Sequence, residues 1–521
     1  MSKTKLAKNI GSMSVAVFIS RIFGLGRDIL ITGFFGTTYV ADAFQVGYQI
    51  PNLLRKLFGE GALSAAFVPL YNEIGIKRGK KQQIKFALNV LSLLLLLLLI
   101  LCLIGILLAP LIVKILAPGF DETTHELTVR LARVMFPYLL LIGLSSTMIA
   151  ILNSHDYFFI PGLSSALLNV AIIGGFGFIA LFYERSALEN NVMIIAICVV
   201  IGGFLQVIIN MPLLRKIGYS IRLIFRVESE AIKAVWRRFI PGVIGLAIRQ
   251  INLAVDIILA SLLVTGSIAA LNYGNRLMQL PLGIIGISAS VAVLPMFSQY
   301  ISKQKWQQLQ DSLRFSIITL CYIMIPITAL IAGLGRDLIR ILFLRGAFDL
   351  NSLDMTYRAL LFYSVGLVFY SISRLLIPLF YANKDTKTPV KISAVIVVVN
   401  VVLNIILMRF MAHAGLALAT SLSALAHVII LFLLLKKHIP QIRFPKIKKT
   451  VAKILLLSIL IYGLLIIANH LYLADTFVKA LVKVILAGLI SFIVYMGGTQ
   501  LLQIEYSSQI KRKLWKKLSK K

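Results

Sequence analysis

Long apolar runs recur along the whole chain, and no other feature restricts its fold as strongly. The stretch LNVLSLLLLLLLILCLIGILLAPLIV (88–113) is one of them. A helix needs about 20 mainly apolar residues to cross a bilayer, so each run reads as a transmembrane helix. Inside lipid every backbone N–H and C=O must be bonded within the protein, which makes such runs α-helical. The chain is therefore read as an all-α polytopic membrane protein. Of its 521 residues, 59% are hydrophobic, more than a soluble globular chain uses. The basic start MSKTKLAK leads into a long span without a small-residue cleavage site, so no cleavable signal peptide is expected.

About fourteen spans are expected, near 9–36, 41–73, 86–116, 126–153, 159–183, 191–215, 240–265, 268–301, 311–343, 354–382, 388–410, 412–436, 451–472 and 477–503. The connecting loops alternate in charge. SKTKLAK, KRGKKQQIK, SKQKWQQLQDSLR, NKDTKTPVK and the tail KRKLWKKLSKK are basic. FFGTTYVAD, APGFDETTHE, YERSALENN and LRGAFDLNSLD carry few Lys or Arg and several acids. The bias is roughly five-fold, and the positive-inside rule places both termini in the cytoplasm. A net charge of +33 would suggest nucleic acid in a soluble protein. Here the loops account for most of it. The segment RLIFRVESEAIKAVWRRF suggests an amphipathic surface helix ahead of the seventh span.

The sequence also repeats itself. ALSAAFVPLYNE (62–73) resembles SASVAVLPMFSQ (288–299), with Ser64, Ala66 and Pro69 matching Ser290, Ala292 and Pro295. NSHDYFFIPGLSSA (153–166) resembles NKDTKTPVKISA (383–394), with Pro161 opposite Pro389. The offsets of 226–230 residues equal six spans, so the halves share one orientation: a parallel repeat. The expected division is an N-terminal lobe (1–216), a cytoplasmic amphipathic connection (217–239), a C-terminal lobe (240–437), two extra helices (438–505) and a basic tail (506–521).

Charges inside the spans carry the functional signal. SRIFGLGRD (20–28) places Arg21 on the order of 16 Å into the first span. An ionised group at that depth costs several kcal/mol unless it faces water or a partner, roughly 3 kcal/mol on insertion scales. Arg21 and Asp28 share a face of a regular helix. In the second span Asp42 lies near the start, Arg55 about 20 Å further in, and Glu60 follows between two glycines. Arg276 sits near mid-depth of the eighth span. Arg21, Arg27, Arg55 and Arg276 outnumber Asp28, Asp42 and Glu60, so the set suits an anion. Arginine gives planar bidentate donors for phosphate and stays charged at any working pH. The competing reading is that these charges pair off and lock helices together.

Asn252 and Asp256 on the seventh span, Asn400 and Asn404 on the eleventh and Thr420 on the twelfth offer oxygens for a small cation such as Na⁺. Interhelical hydrogen bonding is the other use of such residues. The cysteines Cys102, Cys198 and Cys321 are isolated in apolar spans, and the histidines lack ligand spacing, so neither suggests a metal. The chain has no GxSxG, HExxH or Walker A motif, which argues against an enzyme and against ATP as the energy source. Uphill work then falls to an ion gradient or the membrane potential, the latter worth about 2.3 kcal/mol per charge per 100 mV.

SRIFGLGRD followed by ADAFQVGYQIPNLLRKLFGEGALSAAFVPLYNE closely resembles the signature of the MurJ (MviN) lipid II flippases, within the multidrug/oligosaccharidyl-lipid/polysaccharide exporter superfamily. NRLMQLPLGIIGISASVAVLP and the DTKTPVKI loop resemble that family too, and the likeness covers nearly the whole chain. It implies two six-helix lobes working by alternating access in the bacterial inner membrane. The implied substrate is undecaprenyl-diphosphate-linked disaccharide-pentapeptide, flipped outward for peptidoglycan synthesis. It implies that the four arginines and three acids line the substrate path, and that the last two spans form a groove for the lipid tail. Asn275 and Asn404 stand where some relatives carry an acid, which bears on the Na⁺ reading only. The alternative is export of another polyprenyl-diphosphate-linked oligosaccharide, which the same arginines would serve.

Overall fold

The computed structural model describes residues 3–57, 61–184, 186–220, 222–225, 230–439, 441 and 447–504. Two compact units divide the chain: Met1–Ala269 with Arg345–Phe348, and Ala270–Leu344 with Asp349–Lys521.

The first unit contains α1 (Lys3–Phe35), α2 (Tyr39–Arg55), α3 (Gly61–Leu107), α4 (Ala109–Leu116), α5 (Glu122–Met135), α6 (Pro137–Ser154), α7 (Phe159–Phe182), α8 (Leu188–Lys216) and α9 (Glu230–Ser261). Gly79 interrupts α3 at φ 77°, ψ 168°, a conformation glycine adopts without a Cβ penalty. The basic loop KRGKKQQIK therefore bends the chain between two expected spans inside one continuous element. α7 packs on α1 and α8, α2 on α5, and α3 on α6 and α9. The surface helix expected before the seventh span is instead the front of α9 itself. Its apolar residues Ile232, Val235 and Phe239 are buried with Leu63, Phe67, Val90 and Leu94 of α3.

The second unit holds α10 (Ser267–Pro281) beyond its first turn, a π-helical turn (Leu282–Gly286), α11 (Ile287–Ser302), α12 (Trp306–Phe343), α13 (Leu350–Val365), α14 (Leu367–Ala382), α15 (Lys387–Met411), α16 (His413–His438), α17 (Lys448–Leu471) and α18 (Phe477–Leu501). Asp349 caps α13 by accepting from the Ser352 N–H at 2.7 Å. That bond holds its carboxyl below the usual carboxylate range. α17 and α18 pack on α12 and turn apolar faces outward, including Leu456, Ile459, Leu489 and Ile493. In a membrane protein such faces meet lipid.

The repeat is visible in the element boundaries. α2 ends at Arg55 and α10 at Pro281, 226 residues apart, and π-helical residues follow both. α3 and α11 begin at the same spacing, each with an internal proline, Pro69 and Pro295. The broken pairs α5–α6 and α13–α14 begin 228 residues apart and end 228 apart. Helices occupy each of the fourteen expected positions. Among the described residues, however, nine are long and apolar enough to cross a membrane, or ten with the bent pair α13–α14 taken as one. The expected spans that fall short are α1, α2, α9 and α10–α11, the elements that carry the intramembrane charges.

Candidate functional site

Each charged residue is placed by its helix and by what it touches. On α1, Arg21 is exposed and makes no hydrogen bond or ion pair among the described residues. Arg27, six residues on, folds onto its neighbour Asp28: Nη2 and Nε lie 2.8 and 3.0 Å from Oδ1. Both side chains are largely buried, at 12% and 14% exposure, so the pair is shielded from solvent. Asp28 thus answers Arg27, and the helix-face pairing of Arg21 with Asp28 is not formed.

On α2, Arg55 Nε donates to Asn52 Oδ1 at 2.8 Å, and Asn52 Nδ2 donates to Gln49 Oε1 at 3.3 Å. Two neutral amides one helical turn apart therefore help orient this guanidinium. The i,i+3 spacing of Asn52 and Arg55 was visible in QIPNLLR, but an amide beside a charge carries no signal by itself. Arg55 is half-buried at the last turn of α2. Glu60 lies outside the described residues.

Asp42 is buried. Its Oδ2 accepts from the Gly266 N–H at 2.6 Å and its Oδ1 from the Ala269 N–H at 2.8 Å. These N–H groups open α10, where the helix leaves donors unpaired and its dipole favours a negative charge. Gly266 has φ 88°, and a Cβ there would sit 2.1 Å from the Thr37 carbonyl oxygen. The carboxylate thus caps a helix whose entry turn passes against α2. Asp42 is expected among the substrate residues; here each of its oxygens accepts a backbone N–H.

Arg276 belongs to the second unit, half-buried on α10, one turn before Gln279, which donates to Asn275 Oδ1. The residues considered for a cation divide likewise. Asn252 and Asp256 sit together on α9 in the first unit, Nδ2 to Oδ2 at 3.4 Å, and Asn252 Oδ1 is buried with no partner among the described residues. In the second unit Asn404 Nδ2 donates to Asn400 Oδ1 at 3.0 Å and Asn400 Nδ2 to Ser423 Oγ at 3.3 Å. The Thr420 hydroxyl donates back to the Leu416 carbonyl at 2.9 Å. Each set is hydrogen-bonded within its own unit.

The first unit therefore presents Arg21, exposed and without a hydrogen bond or ion pair among the described residues, beside an Arg27–Asp28 ion pair and an Arg55 held by Asn52. That chemistry suits a phosphate-bearing ligand.

Comparison with known proteins bears on this arrangement. Residues 31–487 match the family model described as lipid II flippase MurJ. A probable lipid II flippase MurJ from Buchnera aphidicola subsp. Schizaphis graminum is 33% identical over 82% of this chain and 82% of its own length. One from Buchnera aphidicola subsp. Acyrthosiphon pisum is 31% identical over 96% of this chain and 98% of its own. A solved structure titled lipid II flippase MurJ, inward closed conformation, is 28% identical, with a TM-score of 0.78 over 94% of this chain and 99% of that one. A family match spanning most of the chain, agreement along nearly the full length of relatives and a shared fold lead to one conclusion: the chain belongs to the MurJ lipid II flippase family.

Proposed function

We propose that this multi-pass inner-membrane protein moves lipid II, the undecaprenyl-diphosphate-linked disaccharide-pentapeptide, from the inner to the outer leaflet by alternating access. The observation that carries the reading is the exposed, unpaired Arg21 on a membrane helix. Such a charge is costly unless it faces water or a ligand, and a diphosphate is the ligand a guanidinium fits best. Arg55, whose Nε is held by the Asn52 amide at the last turn of α2, adds a second guanidinium suited to the same ligand. The outward apolar faces of α17 and α18 are suited to the polyprenyl tail. Both termini lie in the cytoplasm, as the loop charges favour.

Transport is driven by the membrane potential or by an ion gradient. For Na⁺, the Asp256 carboxylate and the unpartnered Asn252 Oδ1 are the oxygens that support binding in the first unit, and Asn400, Asn404 and Thr420 those in the second. Flux that survives Na⁺ removal but stops with a potential-collapsing ionophore would assign the work to the potential.

The test is complementation of cells depleted of their own lipid II flippase. Wild type, Arg21→Ala, Arg27→Ala, Arg55→Ala and Arg276→Ala are expressed at matched membrane levels, and outer-leaflet lipid II is measured directly. Wild type is expected to restore it. Arg21→Ala and Arg55→Ala are expected to lower it at least about tenfold, as loss of a charge-assisted phosphate contact implies. The Arg276 variant asks whether the second unit contributes. A well-expressed wild type that restores nothing overturns lipid II as the substrate and favours another polyprenyl-diphosphate-linked oligosaccharide. Fully active arginine variants overturn the anion site.

A further inference from the structure

α1 packs chiefly against α7, so α7 fixes how far α1 is rotated about its own axis. The contact face of α1 runs through Ala16, Ser20 and Gly24, three small residues spaced by four. Ala16 is fully buried, and its Cβ would lie 3.1 Å from a Cβ built on Gly162 of α7. At the centre of this face two polar side chains reach across. Asn169, 7% exposed in an otherwise apolar stretch of α7, donates from Nδ2 to the Ser20 carbonyl at 3.2 Å. Ser165, one turn earlier, places Oγ 3.0 Å from Ser20 Oγ.

The Ser20 carbonyl normally bonds only the N–H one turn on, that of Gly24. A second donor must approach it from the side, past the side chain at position 24. A Cβ on Gly24 would lie 3.6 Å from Asn169 Nδ2, an ordinary contact distance, so the amide packs directly beside position 24. The peptide held in this way joins Ser20 to Arg21. Arg21 is one residue, about 100°, around the helix from the clip. It points off the packed face, exposed and unpaired among the described residues.

We propose that Asn169 and Ser165 are positioning residues for Arg21: they lock the rotation of α1 through the Ser20 backbone and so aim the guanidinium at the anionic group of the substrate. The role rests on the reading of Arg21 as a substrate ligand. Neither residue needs to touch substrate.

The test is a double-mutant cycle on the full chain in nanodiscs, with undecaprenyl diphosphate as probe and dissociation constant as readout. Asn169→Leu keeps the volume and removes the donor. It is expected to weaken binding about three- to tenfold, the range of an interhelical hydrogen bond in a membrane. Ser165→Ala is expected to weaken it about twofold. Arg21→Ala is expected to weaken it more than either. In the Arg21→Ala background, Asn169→Leu should add nothing, because the group it positions is gone. A merely structural role would give the same loss in both backgrounds, and that additivity overturns the proposal. So does wild-type binding by both α7 variants while Arg21→Ala is impaired, a result that leaves the Arg21 reading intact. If Arg21→Ala itself binds as wild type, the substrate reading of Arg21 fails and the positioning role falls with it. Should Asn169→Leu not fold, as judged by thermal unfolding, the cycle is run with Ser165→Ala, which deletes a single exposed hydroxyl.

Discussion

At the scale of single residues, the three acids of the first two spans behave differently although the sequence presents them alike. Asp28 pairs with Arg27, Asp42 caps α10, and Glu60 lies outside the described residues. The arginine excess was legible because counting charges in apolar runs needs no structure. The partner of each acid was not legible, because Asp42 meets residues 224 and 227 positions away. Arg21 and Asp28 share a helix face, yet it is the adjacent Arg27 that folds onto Asp28. The cap makes a prediction. Asp42→Ala strips the acceptor from buried N–H groups, which costs about 1–3 kcal/mol. Asp42→Asn keeps one oxygen and costs less. Thermal unfolding in detergent should rank wild type above Asn above Ala, while the folded fraction of each binds undecaprenyl diphosphate as wild type does. Loss of binding at unchanged stability would return Asp42 to the anion site.

At the scale of elements, apolar runs located the helices well, because hydrocarbon dictates both their length and their hydrogen bonding. Interruptions were harder to read. Pro137 follows a break at Phe136, and the bend of 43° between α13 and α14 falls at Gly366, whereas Pro212 and Pro326 sit inside α8 and α12 without ending them. Whether a proline breaks a helix in a membrane depends on neighbours that can take up the freed carbonyl, and those come from other elements. The two extra helices also proved less purely apolar in their attachment than their sequence suggests. Lys483 of α18 lies 3.1 Å from Asp337 of α12, with side-chain exposures of 7% and 11%. Asn469 of α17 donates to the Gly333 carbonyl at 2.9 Å, and Tyr495 of α18 to the Tyr322 carbonyl at 2.6 Å. α12 therefore carries both helices through polar contacts as well as apolar packing. Lys483→Met leaves Asp337 charged and buried, a change worth about 3–5 kcal/mol. Adding Asp337→Asn removes the orphaned charge and should recover most of that loss. Thermal unfolding of the single and double variants measures the difference; equal losses in both would mean that the pair contributes packing alone.

At the scale of the whole molecule, the parallel repeat and the loop charges make one joint demand on topology. A six-span offset keeps the halves in the same orientation only if each half crosses the membrane an even number of times. The matched boundaries at 226 and 228 residues support the halves. Among the described residues α1, α2, α9 and α10–α11 are not both long and apolar enough to be identified as spans on those grounds alone, so the count depends on whether they cross. Thr123, in the first turn of α5, and Lys303, just after α11, are both exposed. Five expected spans lie between them, two of which are the α9 and α10–α11 segments, so they belong on opposite sides of the membrane. The native cysteines Cys102, Cys198 and Cys321 are buried, and alanine at each gives a background free of competing thiols. In that background an impermeant maleimide added to spheroplasts is expected to label Thr123→Cys and to spare Lys303→Cys until the membrane is opened. The reverse pattern would invert the molecule against its loop charges. Labelling of both from outside would mean that α9 or α10–α11 does not cross, and the six-span offset between the halves would fail.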